Sequence, residues 1–284
     1  MSNNNAQNKY ISYKGSKICY QLHQTGDHSS KEYLIFVHGF LSSQYSFRKM
    51  IPLLIDNYNI ITLDLPPFGD SDRINTFLYS YKNMADLIIH FMNEHNIKQA
   101  QLVGHSMGGQ IALTCAYHYP DRIKKLILLA PSSYMKKSDK LSYFVSSLPF
   151  FTTFIRKLMK RKGVYHTIRQ SLYNDDMITE EMLNQYKKPF SDKKIYACLA
   201  KMVRDREGDL KEDHLHEIKT ECSIFWGKKD EILPVRIAYQ LIRDLSNAEL
   251  CTFRNAGHLL PEEVPHVICD CIKAGDVLNH SHLD

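Results

Sequence analysis

The chain alternates short apolar runs with amphipathic segments. Residues 10–13 and 17–22, aromatic and branched, flank the Gly-containing turn Lys14-Gly15-Ser16, which predicts an antiparallel hairpin. Six further runs, at 33–37, 60–63, 101–103, 125–129, 223–226 and 250–253, are continuous, short and rich in branched residues. Such runs suit strands buried on both faces. Helical spacing of apolar residues appears at 47–55, 84–92, 111–117, 237–245 and 264–272. Strands and helices alternating at these lengths predict an α/β fold, a doubly wound and mostly parallel sheet with helices on both sides.

The alternation stops between residues 133 and 219, where no run reads as a strand and Lys, Tyr, Phe, Met and charged helix formers take over. That block is expected to be an inserted helical cap. The layout is then a disordered segment at 1–9, a core made of 10–132 and 220–275, the cap at 133–219, and a flexible tail at 276–284. His280 and His282 in that tail form too short a motif to read as metal ligands.

With 284 residues and 44% hydrophobic content, the chain can bury a substantial core. Its net charge of +5, from 36 basic and 31 acidic side chains, gives no reason to expect nucleic acid as a partner. Seven cysteines, odd in number and without C-x-x-C spacing, read as reduced and mostly buried thiols. The start, MSNNNAQNKY, lacks the parts of a secretory signal, so a cytoplasmic location is expected. The most apolar stretch, 141–159, is interrupted by Pro149, Arg156 and Lys157, which argues against a spanning helix.

Polar residues gather just after the predicted strands, where ligands bind in open α/β sheets. His38-Gly39-Phe40 follows the run at 33–37, Gly104 to Gly109 follows 101–103, Asp230 follows 223–226, and His258 follows 250–253. In Gly104-His105-Ser106-Met107-Gly108-Gly109, glycines permit a sharp strand-to-helix turn that would project the Ser106 hydroxyl. A serine needs a base, and the base an orienting carboxylate. His258 and Asp230 fit those roles, in the chain order Ser, Asp, His; Glu231 is the nearest competing acid. The backbone N–H groups of Phe40 and Met107 are candidate oxyanion donors, and Gly39 would let the first loop approach closely. His38 and His105, with Gly104 and Gly108, read as structural residues around the site.

These stretches resemble those of the α/β-hydrolase fold superfamily, in the esterase- and lipase-like subgroup with a helical cap. The likeness rests on V-H-G-F at 37–40, D-L-P-P-F-G-D-S-D at 64–72, G-H-S-M-G-G at 104–109, W-G-K-K-D at 226–230 and G-H-L-L-P-E-E-V-P at 257–265. The chain departs from the family at Pro67, where Gly is usual. Relatives that attack through Asp are dehalogenases and epoxide hydrolases; Ser106 implies acyl chemistry instead. The resemblance implies a serine hydrolase of a small-molecule ester with an apolar acyl part, working through an acyl-enzyme without cofactor or metal. Two alternatives stay open: hydrolysis of a carbon-carbon bond in a ring-cleavage diketone, and a triad-bearing ligand sensor.

Within the cap, Leu141, Phe144, Val145 and Leu148, then Phe151, Phe154, Ile155 and Leu158, fall at helical spacing. Lys136, Lys137, Lys140, Arg156, Lys157, Lys160, Arg161 and Lys162 surround them, with Asp139 the only acid from 136 to 162. Packing of these stripes onto the core is the more ordinary expectation. Peripheral contact with an anionic membrane is the other. Oligomeric state is left open.

Overall fold

In a computed structural model of the chain, residues 6–27, 29–148, 150–275 and 277 are described, excluding the side chains of Lys160 and Lys162. Pro149, the first five residues and the tail apart from Val277, His280 and His282 included, lie outside that set. Strands β1 (Lys9–Tyr13) and β2 (Ser16–His23) form the hairpin, with Tyr13 opposite Ser16. Lys14 and Gly15 both have positive φ, 47° and 77°, as a tight two-residue turn requires. Ordered contacts begin slightly before residue 10, because Lys9 opens β1 and Asn8 bonds Gln21 and Asp70.

Six parallel strands follow: β3 (Glu32–Val37), β4 (Tyr58–Leu63), β5 (Ala100–His105), β6 (Ile123–Leu129), β7 (Glu221–Gly227) and β8 (Ala248–Phe253). The sheet order is β1-β2-β4-β3-β5-β6-β7-β8, with β2 antiparallel to β4 and all pairs from β4 to β8 parallel. Every parallel strand therefore ends on the same edge of the sheet. Leu34 to Val37, Leu102, Val103 and Leu126 to Leu129 are fully buried or nearly so, as expected of strands covered on both faces.

Helices α1 (Ile51–Leu54), α2 (Tyr81–Glu94), α3 (Met107–His118), α9 (Arg236–Asp244) and α11 (Pro265–Ala274) alternate with the strands. The helix expected over 47–55 is the weakest match. It divides into a 3-10 turn at Gln44–Phe47 and the single turn α1, whose second residue is Pro52. A proline supplies no N–H to a preceding turn, so a continuous helix through it is disfavoured.

Between β6 and β7 lie α4 (Lys140–Ser147), α5 (Phe151–Ser171), α6 (Glu180–Lys187), α7 (Lys194–Asp205) and α8 (Glu212–Glu217). Helix α5 breaks at Gly163, where φ is 71° and ψ 151°. Helices α4 and α5 pack on α7, whereas α8 rests on α3 and α9 in the core. None of the described helices is long and apolar enough to cross a membrane. All seven cysteines are buried.

Packing around the start of α3 leaves no room for a side chain at two glycines. A Cβ on Gly108 would overlap the carbonyl of Val37, and one on Gly104 would lie 2.6 Å from the carbonyl oxygen of Gly108. Backbone has to move in either case. Around Gly163 a Cβ would meet nothing within 4 Å, so only its positive φ resists a side chain. Gly108→Ala should therefore cost about 3 kcal/mol of stability, against about 1 kcal/mol for Gly163→Ala. Urea midpoints of the two variants measured side by side check this; equal losses would contradict the packing argument.

Candidate functional site

Ser106 sits between the end of β5 and the first residue of α3 with φ 54° and ψ −118°. A non-glycine residue in such a conformation carries strain of about 1–3 kcal/mol and needs surrounding structure to hold it. Its N–H donates to the Leu129 carbonyl at 3.0 Å, and its own carbonyl accepts from Ser132 at 2.9 Å and Gly109 at 2.9 Å. The turn is thus fixed on both sides by β6 and its following loop.

Asp230 and His258 meet directly. His258 Nδ1 donates to Asp230 Oδ2 at 2.7 Å, and both side chains are almost wholly buried. The other carboxylate oxygen, Oδ1, accepts from the N–H groups of Ile232 and Leu233, each at 2.8 Å. With all these acceptor positions engaged, the carboxylate is held in one orientation. The Nδ1 proton leaves Nε2 of a neutral His258 as an acceptor. The competing acid, Glu231, is exposed.

Ser106 and His258 are joined indirectly. His105, next to the serine, donates from Nε2 to the His258 carbonyl at 2.9 Å, and the two rings lie 4.9 Å apart. Among the described residues the Ser106 hydroxyl bonds no protein acceptor. In free enzymes such bonds are often open and tighten when substrate binds.

Phe40 and Met107 flank the serine on the wall of one cavity. A Cβ on Gly39 would lie 3.1 Å from the Ser106 Cβ, which measures how closely that loop approaches. Among the described residues the backbone N–H groups of Phe40 and Met107 have no acceptor. His38 is wholly buried: Nδ1 donates to the Gly39 carbonyl at 2.8 Å while Nε2 accepts from the Leu65 N–H at 2.9 Å. It ties the loop after β3 to the loop after β4. That second loop is where Pro67 departs from the usual glycine, and its Pro66-Pro67 bond is cis. Phe68 within it packs edge-on against His38 and Phe40.

The cavity, about 390 Å³, is lined mostly by apolar groups, among them Tyr79, Met84, Leu199, Met202, Val203 and Leu233. Two charged cap residues, Arg206 and Glu207, also reach its wall, which reading the sequence did not anticipate. They lie just past the last residue of α7, at Asp205, where periodicity gives no direction. Glu207 accepts from the Lys82 N–H at 2.8 Å, and Arg206 attracts the carboxylate of Asp209.

The cap also supports the loop bearing His258. The Ser171 carbonyl, at the end of α5, accepts from His258 N at 2.8 Å and Leu259 N at 3.0 Å. Glu263 closes the second link: Oε1 accepts from Tyr173 N at 2.7 Å and Oε2 from Gly257 N at 2.8 Å. Glu263 ends the short helix α10 (Leu260–Glu263). Its neighbour Glu262 pairs with Arg48 and Lys49. Both acids belong to the motif at 257–265, and nothing in its spacing shows which backbone groups they hold.

Two clusters elsewhere bring potential metal ligands within 4.8 Å of one another, Cys19 with Asp64 and Asp70, and Glu212 with His216 and Asp244. Neither includes Ser106, Asp230 or His258. In the first, burial pushes the Cys19 thiol up to about 12, and Asp64 already accepts from the backbone N–H groups of Gln44 and Asp70. In the second, Asp244 accepts from the Tyr134 hydroxyl at 2.6 Å.

The family model described as alpha/beta hydrolase fold matches residues 32–160. The chain is 40% identical over 258 residues to an uncharacterized hydrolase, YugF, of Bacillus subtilis (strain 168), an alignment covering 91% of this chain and 93% of that protein. It is 25% identical over 267 residues to a 2-hydroxy-6-oxononadienedioate/2-hydroxy-6-oxononatrienedioate hydrolase of Paraburkholderia phymatum, covering 89% and 90%. To monoacylglycerol lipase ABHD6 of Bos taurus it is 24% identical over 279 residues, covering 91% of this chain and 79% of the other.

Burial lowers the pKa of His38 to about 4, and burial together with the nearby His258 lowers that of His105 to about 3. Once unfolded, each ring returns to its ordinary value of 6.5. Between those values the unfolded chain binds more protons, so stability is full above about pH 6.5 and falls as the pH drops. Each ring contributes up to about 1.4 kcal/mol per pH unit. Asp64, raised by burial to about 6, acts in the opposite sense below that pH. The net expectation is a denaturation midpoint that declines from pH 7 to pH 4.5, and declines less in His38→Asn. A flat midpoint over that range would contradict it.

Proposed function

We propose that this chain, a hydrolase that belongs to the alpha/beta hydrolase fold family, cleaves carboxylic esters with an apolar acyl part, using Ser106 as nucleophile and His258 as base. What carries the reading is the 2.7 Å bond from His258 Nδ1 to Asp230, which leaves Nε2 to accept a proton, together with the strained backbone that holds Ser106. Ser106 Oγ attacks the ester carbonyl while His258 Nε2 takes its proton. The oxyanion is met by the N–H groups of Phe40 and Met107, at the positive end of α3. His258 then protonates the departing alcohol, leaving an acyl-enzyme. Water, deprotonated by the same histidine, releases the acid. Asp230 keeps the ring in place and stabilises its charged form.

The cavity lining supports a neutral, apolar acyl group. Its volume lies toward the lower end of the roughly 300–1,000 Å³ common for small-molecule sites, which favours short and medium chains. A second reading draws on Arg206, a cation on the cavity wall that could meet the carboxylate of a ring-cleavage product. Asp209 and the adjacent Glu207 offset that charge, so the ester reading is preferred.

Turnover of p-nitrophenyl esters from acetyl to palmitoyl tests the proposal. The wild type should turn over many times, best on short or medium chains, and Ser106→Ala should lose about a thousandfold or more in kcat. Absence of ester turnover, alongside cleavage of a 2-hydroxy-6-oxo dienoate that Arg206→Ala abolishes, would select the second reading. Absence of both activities would favour a ligand sensor.

A further inference from the structure

Helix α4 turns its polarity the wrong way for a helix that only packs on a core. Leu141, Tyr143 and Phe144 are 69%, 57% and 63% exposed, while Ser146 is buried. Arg204 of α7 fixes that inward side by donating from Nη1 to the Ser146 carbonyl at 2.6 Å. Exposed apolar side chains recur at the start of α5, where its N-cap Phe150 and Phe154 are 63% and 56% exposed and Leu158 is also open. Phe154 lies beside Phe151, with ring centroids 6.0 Å apart and planes 28° from parallel. At about 150–250 Å² for a whole aromatic residue, the four open rings present on the order of 400 Å² of apolar surface. Patches of about 300–600 Å² are the largest that typical monomers expose, and they are often functional.

The charge around it has one sign. Lys136, Lys137 and Lys140 are exposed before and at the start of α4, and Lys157 and Arg161 are exposed on α5. Among the described residues none of these five pairs with a carboxylate. Asp139, the only acid between 136 and 162, is occupied as the N-cap of α4, accepting from Ser142 N at 2.7 Å. The surface also borders the proposed catalytic cavity, since Met135 and Ser138, just ahead of α4, line its wall.

We propose that α4 and the first half of α5 form a docking surface for an anionic lipid bilayer. Large apolar side chains enter the interface, the basic residues meet acidic headgroups, and the cavity mouth is brought to the edge of the membrane. A second copy of the chain is a poorer occupant. A two-fold interface through this surface would set its basic residues against their own counterparts.

Sedimentation of the full chain with vesicles tests this, using phosphatidylcholine alone and phosphatidylcholine mixed with phosphatidylglycerol. The expected result is binding to the mixed vesicles at low salt, weakened by added salt and by omission of phosphatidylglycerol. Phe144→Ser with Phe154→Ser, and separately Lys136→Glu with Lys137→Glu and Lys140→Glu, should each weaken it by at least about tenfold. None of these residues lines the Ser106 cavity, and unchanged thermal midpoints would show that the variants fold. Failure of the wild type to bind either vesicle at low salt would overturn the proposal. So would undiminished binding by both folded variants, or a lipid-free dimer that the Phe substitutions dissolve. Binding is read without turnover, so its failure leaves the ester-hydrolase reading standing, and a catalytically silent protein can still bind.

Discussion

The sharp turn at Ser106 is the constraint around which the site is assembled. Its backbone sits where a side chain is strained, and the strain is sustained by hydrogen bonds to Leu129, Ser132 and Gly109. Close approach does the rest. Gly104 and Gly108 let β5, the first turn of α3 and the end of β3 come within a distance that a methyl group would prevent. One consequence is that Gly39 and Phe40, just past the end of β3, lie beside the serine. The proposed oxyanion donors and the proposed nucleophile therefore rest on the same backbone contacts.

The loop carrying His258 depends on both parts of the molecule. From the core, Asp230 holds the ring and His105 holds the backbone carbonyl. From the cap, Ser171 accepts from two successive N–H groups, and Glu263 bridges Tyr173 and Gly257. Burial raises the Glu263 pKa, partly offset by the N–H groups it accepts from. The cap is thus a structural support for the proposed base as well as a wall of the cavity. Gly163 interrupts α5 between the exposed aromatic half and the half that ends at Ser171.

Much of this was legible in the chain. The parallel strands begin and end within a few residues of their apolar runs, because strands covered on both faces leave a continuous signal that exposed loops do not imitate. Residues 47–55 misled because their helical spacing ignores Pro52. Asp230 and His258 could be found because each follows a strand end, and the topology brings those ends to one edge. Arg206 and Glu207 could not, since their positions depend on the path of irregular chain past α7, nor could the Ser171 carbonyl at the end of α5. Backbone acceptors leave no trace in residue identity. The cap stripes were legible as amphipathic, but periodicity reports that a face exists and not which way it turns. Ser146 inward and Phe144 outward is the reverse of the ordinary packing expectation.

The central claim is that Ser106 is a nucleophile activated by the His258–Asp230 pair. Stoichiometric labelling with a fluorophosphonate, followed by mass spectrometry of the digested protein, addresses it without assuming a substrate. The account predicts one adduct per chain, on the peptide containing Ser106, with labelling slowed by orders of magnitude in folded His258→Ala. An adduct on another residue, or equal labelling rates in wild type and His258→Ala, would contradict it.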